Sequence, residues 1–235
     1  MQKIFSLISG FFFLVSCSKD VPSSLDFKFA VDYYPLILGS WYVYDIDSIS
    51  YDDFTNPVSV DSITYQVKEE LTDTFLDLEG NQCFEITRSK RMETDSIGLE
   101  DLPWILSDIW WVKEINGNIY RVEENNNYVT LSNPIAKDKS WDGNAYNYQR
   151  YWDFTYENIA GTFNQYSNTV TVIQIDQENE IEKKYYREIF ANDIGLVSRT
   201  RIDVKTQDII NPLPILLKAE KGFQFFQELN SYYIP

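Results

Sequence analysis

Histidine is missing from all 235 positions of this chain. Its absence removes the commonest general base at neutral pH, the Ser-His and Cys-His nucleophile pairs, and every metal site that uses an imidazole ligand. Cysteine is nearly as scarce, with only Cys17 and Cys83. Two thiols build no disulfide framework, and Cys83 sits in the alternating stretch Gln-Cys-Phe-Glu-Ile, where a free thiol packs as a small, inert hydrophobe. Basic residues are also short: 20 Lys and Arg stand against 36 Asp and Glu, a formal net charge of −16. No nucleic-acid partner is therefore expected, because such binding depends on cationic side chains neutralising phosphates. Acidity of this size reads most simply as a solvated shell that favours solubility. Long apolar runs are lacking too, and none reaches the roughly 20 residues that a membrane-spanning helix needs.

The longest apolar stretch lies at the amino terminus. Lys3 supplies a positive charge, residues 4–15 are apolar apart from Ser6, Ser9 and Gly10, and Leu14-Val15-Ser16 lead into Cys17-Ser18-Lys19-Asp20. A short apolar core that follows a basic residue and ends in small residues is the pattern of a secretory signal peptide. The Leu-Val-Ser-Cys order resembles a bacterial lipobox, with Leu14 at minus three, Ser16 at minus one and Cys17 as the residue that is acylated. The resemblance implies a signal peptide over residues 1–16, a lipidated Cys17 with its tether over 17–28, and a single β-rich domain over 29–235. Membrane lipid is then a partner through acylated Cys17, each buried methylene of its chains contributing about 0.8 kcal/mol.

The domain reads as all-β, a single antiparallel meander sheet curled into a barrel, half-barrel or sandwich, with at most one short helix. Aromatic residues make up 16% of the chain, and 17 of them are tyrosine. Many short segments alternate with the period of two at which one strand face meets a core. In residues 40–49, Trp41 and Val43 alternate with Tyr42, Tyr44 and Ile46, while Ile63, Tyr65 and Val67 share one face of the next segment. Residues 169–176, 181–190 and 196–204 behave alike, and Tyr148, Trp152, Phe154 and Tyr156 would share another face. Asn116-Gly117, set between two alternating runs, is a strong hairpin signal, because a type I′ turn needs positive φ at both central residues. Glu79-Gly80-Asn81 and residues 124–127 read as further turns. Helical spacing is confined to residues 98–109, where Leu99, Leu102, Ile105, Leu106 and Ile109 recur at three and four, with Pro103 early enough for a first turn to tolerate it.

Further motifs are Tyr33-Tyr34-Pro35-Leu36-Ile37-Leu38-Gly39-Ser40-Trp41-Tyr42-Val43-Tyr44, then Lys139-Ser140-Trp141-Asp142-Gly143, Ile194-Gly195-Leu196-Val197 and the closing Glu228-Leu229-Asn230-Ser231-Tyr232. Together they resemble the lipoproteins of uncharacterised function that are abundant in Bacteroidetes. The resemblance implies an outer-membrane, lipid-anchored protein on the periplasmic or external face, and it contributes no activity. Each motif is also ordinary strand and turn grammar: Pro35 and Gly39 bracket a strand entry, Trp41 and Tyr44 pin it, and Gly195 suits a tight turn or bulge.

Three constellations could carry chemistry. Asp45 with Asp47, Asp52 with Asp53, Glu100 with Asp101, or Asp176 with Glu178 and Glu180 could pair for glycoside hydrolysis, which needs two carboxylates about 5–10 Å apart. Residues 176–180 also offer hard oxygen ligands for calcium but lack the spacing of an EF-hand, so a polar hairpin tip is the better reading. Trp104, Trp110, Trp111, Trp141 and Trp152 could form platforms for a glycan, and a barrel mouth could hold an apolar small ligand. The expectation is a non-enzymatic binding or accessory lipoprotein of the cell envelope with no catalytic residue, metal or cofactor. A glycan hydrolase and a purely structural envelope component are the alternatives. An exposed tryptophan cleft would favour the first, close carboxylates with one of raised pKa the second, and a solid interior the third.

Overall fold

The computed structural model describes residues 28–92 and 98–235, so Cys17 and the apolar leader lie outside the described residues. Among the described residues twelve strands form one antiparallel sheet. In chain order they are β1 (Trp41–Asp52), β2 (Ser59–Leu76), β3 (Gln82–Met92), β4 (Ile105–Ile115), β5 (Asn118–Glu123) and β6 (Asn126–Leu131). The second half contributes β7 (Ser140–Asp142), β8 (Asp153–Phe163), β9 (Tyr166–Glu178), β10 (Glu182–Ala191), β11 (Gly195–Lys205) and β12 (Lys221–Tyr233). Every strand neighbours its successor except at one place: β1 pairs with β12, which puts β6 and β7 at the two edges of the sheet.

Those edges meet, and the sheet is nearly closed into a barrel. Val129 N–H donates to Gly143 O at 2.9 Å, and the Trp141 indole N–H donates to Val129 O at 2.7 Å. The Tyr156 hydroxyl accepts from Ser132 N–H at 2.8 Å and donates to Ser132 O at 2.9 Å. Paired edges of this kind leave few open backbone groups for a foreign strand. Gly143 is needed at the seam, since a Cβ there would lie 2.3 Å from the ring of Phe154.

Alternation decides which side chains enter the lumen. On β1, Tyr42, Tyr44 and Ile46 are buried while Asp45 and Asp47 face solvent, and the register carries the pattern across to Glu69, Val67 and Tyr65 of β2. Of the segments whose spacing predicts strands, 41–49 of the first, all of 62–68, 169–176 and 196–204, and 182–190 of the fourth lie on them. Hairpin chemistry also matches. Asn116 and Gly117 have φ of 52° and 82°, and Glu124 and Asn125 form the next tight turn with φ of 49° and 66°.

The helix expected over residues 98–109 is not formed. Leu99–Asp101 make one 3-10 turn, and β4 begins at Ile105. Pro103 drives the residue before it into extended backbone, which Leu102 adopts with ψ of 137°. The Ile-Trp-Trp-Val run that follows carries the branched and aromatic side chains that suit a pleated surface. Ile105, Leu106 and Ile109 are exposed, so their helical spacing marks no buried face. Tyr148 also departs from expectation. It is exposed in the loop before β8, whereas Phe154 and Tyr156 do share an inward face.

One end of the barrel is sealed. A 3-10 turn (Ala30–Tyr33) lies across it beside the hairpin turns of β4–β5 and β10–β11: Asn133, next to the first, accepts from Ala30 N–H at 2.7 Å, and Asp193 of the second donates to Asp32 O at 2.6 Å. Tyr33, Tyr34, Tyr42, Tyr44, Leu71, Ile86, Val112, Ile119, Leu131, Tyr156, Phe190 and Leu196 fill this end. A smaller apolar cluster, Ile202 and Val204 under Ile215, packs outside the wall beneath the β11–β12 loop.

Candidate functional site

Above the sealed end the lumen changes character from apolar to charged. Glu69 of β2, Arg88 of β3, Arg121 and Glu123 of β5, Glu188 of β10 and Arg199 of β11 all point inward. They arrive there because they share the two-residue parity of core neighbours: Glu69 lies between Val67 and Leu71, Arg121 follows Ile119, and Glu188 precedes Phe190.

The charges form one continuous belt. Glu69 Oε1 lies 2.9 Å from Arg88 Nε and 2.8 Å from Arg121 Nη2. Arg121 Nε reaches Glu123 Oε1 at 3.0 Å, and the same carboxylate takes Arg199 Nη2 at 2.6 Å and Arg201 Nη2 at 3.3 Å. Arg199 Nε then sits 2.7 Å from Glu188 Oε1. Trp110 supports the belt from within the wall, with the Arg88 guanidinium 3.6 Å from its ring centre. Tyr34, from the plug, accepts from Arg121 Nη1 at 3.1 Å and ties the sealed end to the belt.

Burial alone raises a carboxyl's pKa, yet both Glu69 and Glu123 are held below the ordinary carboxylate value. Arg121, Arg88 and Arg199 outweigh burial at Glu69, and Arg199, Arg121 and Arg201 do so at Glu123, where the drop is large. Arg121 and Arg199 move up, because their carboxylate neighbours overcome the burial that would discharge them. Burial is also the main reason the Tyr34 phenol is pushed up to about 12. A general acid needs the opposite displacement from the one seen at Glu69 and Glu123.

Beside the belt lies a cavity of about 220 Å³. Its buried walls are Glu123, Thr130, Phe154, Gln174, Glu188 and Arg199, and half-buried Tyr128, Gln149, Trp152, Tyr186 and Arg201 line the way in. Gln149 Nε2 donates to the Tyr128 hydroxyl at 3.1 Å, holding the 143–152 loop over β6 at this rim. At the sealed end, by contrast, the gap between Tyr34, Tyr42, Tyr44, Leu71 and Ile86 is about 10 Å³, too small for a water.

Most residues that spacing singled out lie elsewhere. Cys17 is outside the described residues. Asp45 and Asp47 are on the outer wall, accepting from Gln66 and Thr64 at 2.6 and 2.7 Å. Asp52 caps a turn through Phe54 N–H, and Glu178 pairs with Lys183 at the β9–β10 tip, the polar hairpin tip expected there. Among the described residues no group of three or more Cys, Asp or Glu side chains is arranged to hold a metal ion. Each tryptophan is buried or half-buried, and of the five expected platforms only Trp152 lines the charged cavity. Trp111 borders a separate outer groove with Tyr120 and Tyr146. Cys83 is fully buried, its pKa raised chiefly by burial, as an inert thiol requires.

Sequence reasoning missed Glu69, Glu123, Glu188 and the four arginines. The signal was present: Arg121 with Glu123, Tyr186 with Glu188, and Arg199 with Arg201 are charged or polar pairs two apart, in step with core residues such as Ile119 and Phe190 on the same strands. Fold and site together define an antiparallel meander β-barrel with one sealed end and a charged internal cavity. Comparison with family models, with curated proteins and with solved structures returns no match.

Proposed function

We propose that this chain is a lipid-anchored protein of the bacterial envelope that binds a small polar ligand inside its barrel without altering it chemically. The observation that carries the reading is the cavity of about 220 Å³ bounded by Glu123, Glu188, Arg199 and Arg201, in a barrel otherwise packed without gaps at its other end. Its volume is many times the roughly 10–15 Å³ that a single water needs. An apolar occupant would strip water from the spare polar atoms of these charges and offer them no hydrogen bond in return. A polar occupant replaces that water with hydrogen bonds.

Anchoring through Cys17 fits the same arrangement. Residue 28 enters beside the sealed end, so an anchor at Cys17 would attach to the barrel at that end and leave the cavity rim free. Two experiments test the proposal. Thermal-shift screening of the full chain in detergent against small polar metabolites should find a stabilising compound, and Thr130→Tyr, which fills the cavity from a buried wall position, should abolish the shift. Stabilisation that survives Thr130→Tyr would place binding elsewhere. Cys17→Ser should move the protein from membranes to the soluble fraction, and unchanged retention would refute acylation as the anchor.

A further inference from the structure

The belt does not satisfy all of its own hydrogen-bonding atoms, and two of those it leaves spare face the cavity. Glu188 is 2% exposed and lines the cavity, yet only its Oε1 is engaged, by Arg199 Nε, while Oε2 has no hydrogen-bond partner. Arg201 makes its one ion pair through Nη2, at 3.3 Å from a Glu123 carboxylate already shared with Arg121 and Arg199, its guanidinium lies 5.9 Å from the Tyr186 ring centre, and its buried Nε has no hydrogen-bond partner. Gln227, 1% exposed and opposite Arg199 in the strand register, leaves both amide atoms unpaired. Buried polar groups without partners are costly, and of these three residues Glu188 and Arg201 line the cavity, where an occupant can reach them.

The spare groups are of opposite kind. Glu188 offers a buried negative acceptor, and Arg201 a positive, planar donor suited to a carboxylate. The register places Glu188 opposite Arg199 and Tyr186 opposite Arg201, so the two free groups lie one diagonal apart on neighbouring strands. Such diagonals span about 7–8 Å between backbones, close enough for one small molecule to bridge the converging side chains. A molecule with a single charge would reach one of these groups and leave the other's spare atom, Glu188 Oε2 or Arg201 Nε, without a hydrogen bond.

We propose that the cavity binds a small zwitterion, of which a free α-amino acid is the simplest, with Glu188 Oε2 accepting from its ammonium group and Arg201 donating to its carboxylate. Trp152, Tyr128 and Tyr186 then face the ligand's side chain at the rim, and Gln174 lines the wall beside Glu188. The inference rests on the binding function proposed above and narrows it to one ligand class.

The test is isothermal titration calorimetry on the full chain in detergent. It uses the twenty free amino acids, then the N-acetylated and C-amidated forms of the best binder, with glucose as a neutral polar control. A free amino acid should bind, and each blocked form should bind about tenfold to a hundredfold more weakly, the range for one charge-assisted hydrogen bond. Glu188→Gln should erase the discrimination against the N-acetylated form and Arg201→Gln that against the amide. Because Glu188→Gln also disturbs Arg199, the blocked ligands on the unaltered protein carry the test if that variant does not fold. Blocked forms that bind as well as the free amino acid would overturn the proposal. Binding of glucose alone, abolished by Thr130→Tyr, would overturn it while leaving the cavity as a polar binding site. Silence from every probe here and from the wider metabolite screen would overturn both.

Discussion

The two ends of this barrel are built from the same strands and solve opposite problems. At the sealed end, tyrosines and aliphatic side chains interlock around a gap of about 10 Å³, and two of their hydroxyls bond to nearby backbone: Tyr44 donates to Leu196 O at 3.2 Å, and Tyr156 bonds twice to the Ser132 backbone. A few residues further along the same strands, glutamates and arginines cross the lumen, hold one another, and still leave about 220 Å³ unfilled. Close packing makes the sealed end a stability device, since fully burying a large apolar side chain contributes about 1.5–3 kcal/mol. Burying an ion pair contributes far less, because desolvation offsets the attraction. The charged belt is therefore expensive architecture, and its retention at the cavity, with spare acceptor and donor groups, is the reason to assign function there and not at the tyrosine plug.

Substitutions can break or sharpen that contrast. The largest effect is expected at the sealed end, where Phe190→Ala should cost about 3–5 kcal/mol in chemical denaturation, the range for truncating a buried aromatic. A loss below about 1 kcal/mol would mean that this end is not packed as described. Next comes Glu123→Gln, which leaves three arginines facing one another. Removing one partner of a buried pair costs about 3–5 kcal/mol, with the lower half of that range expected because the amide keeps one acceptor. Trp152→Ala, at the half-buried rim, should cost only about 1–2 kcal/mol, since space already exists beside it.

The belt also predicts a pH dependence that the sealed end lacks. Glu69 and Glu123 are depressed below their ordinary value of 4.5, so the stability they contribute is fully present above about that pH. It is lost as pH falls through their folded values. The unfolding midpoint should therefore drop steeply below about pH 4.5, and Glu123→Gln should flatten that drop. An equally steep decline in the variant would show that acid sensitivity arises elsewhere, for instance in the acidic shell.

Much of the fold was legible in the sequence because it is governed by local rules. Period-two alternation in residues 40–49 located β1 and its inward face, and the positive-φ demands of Asn116-Gly117 located a hairpin. Where two local rules competed, the reading failed. Leu99, Leu102, Ile105, Leu106 and Ile109 have helical spacing, but extended backbone before Pro103 and the Ile-Trp-Trp-Val run favour a strand. The site was illegible for a different reason. Glu69, Glu123 and Glu188 come from three strands, and only the registers of β1–β2, β4–β5 and β10–β11, closed into a barrel by the β6–β7 seam, bring them together. Adjacent acids such as Asp45 and Asp47 drew attention because they are close in sequence, and the outer wall is where acids beside core residues normally belong.

The most direct measurement is the melting temperature of Thr130→Tyr beside that of the unaltered chain, each with and without a stabilising ligand. If the lumen is hollow beside Glu123, Glu188 and Arg199, the added ring enters existing space, the melting temperature without ligand stays within a few degrees, and the ligand-induced shift disappears. An interior that is already full would instead show an overpacking loss of about 1–3 kcal/mol, with any ligand effect untouched, and that result would contradict the account.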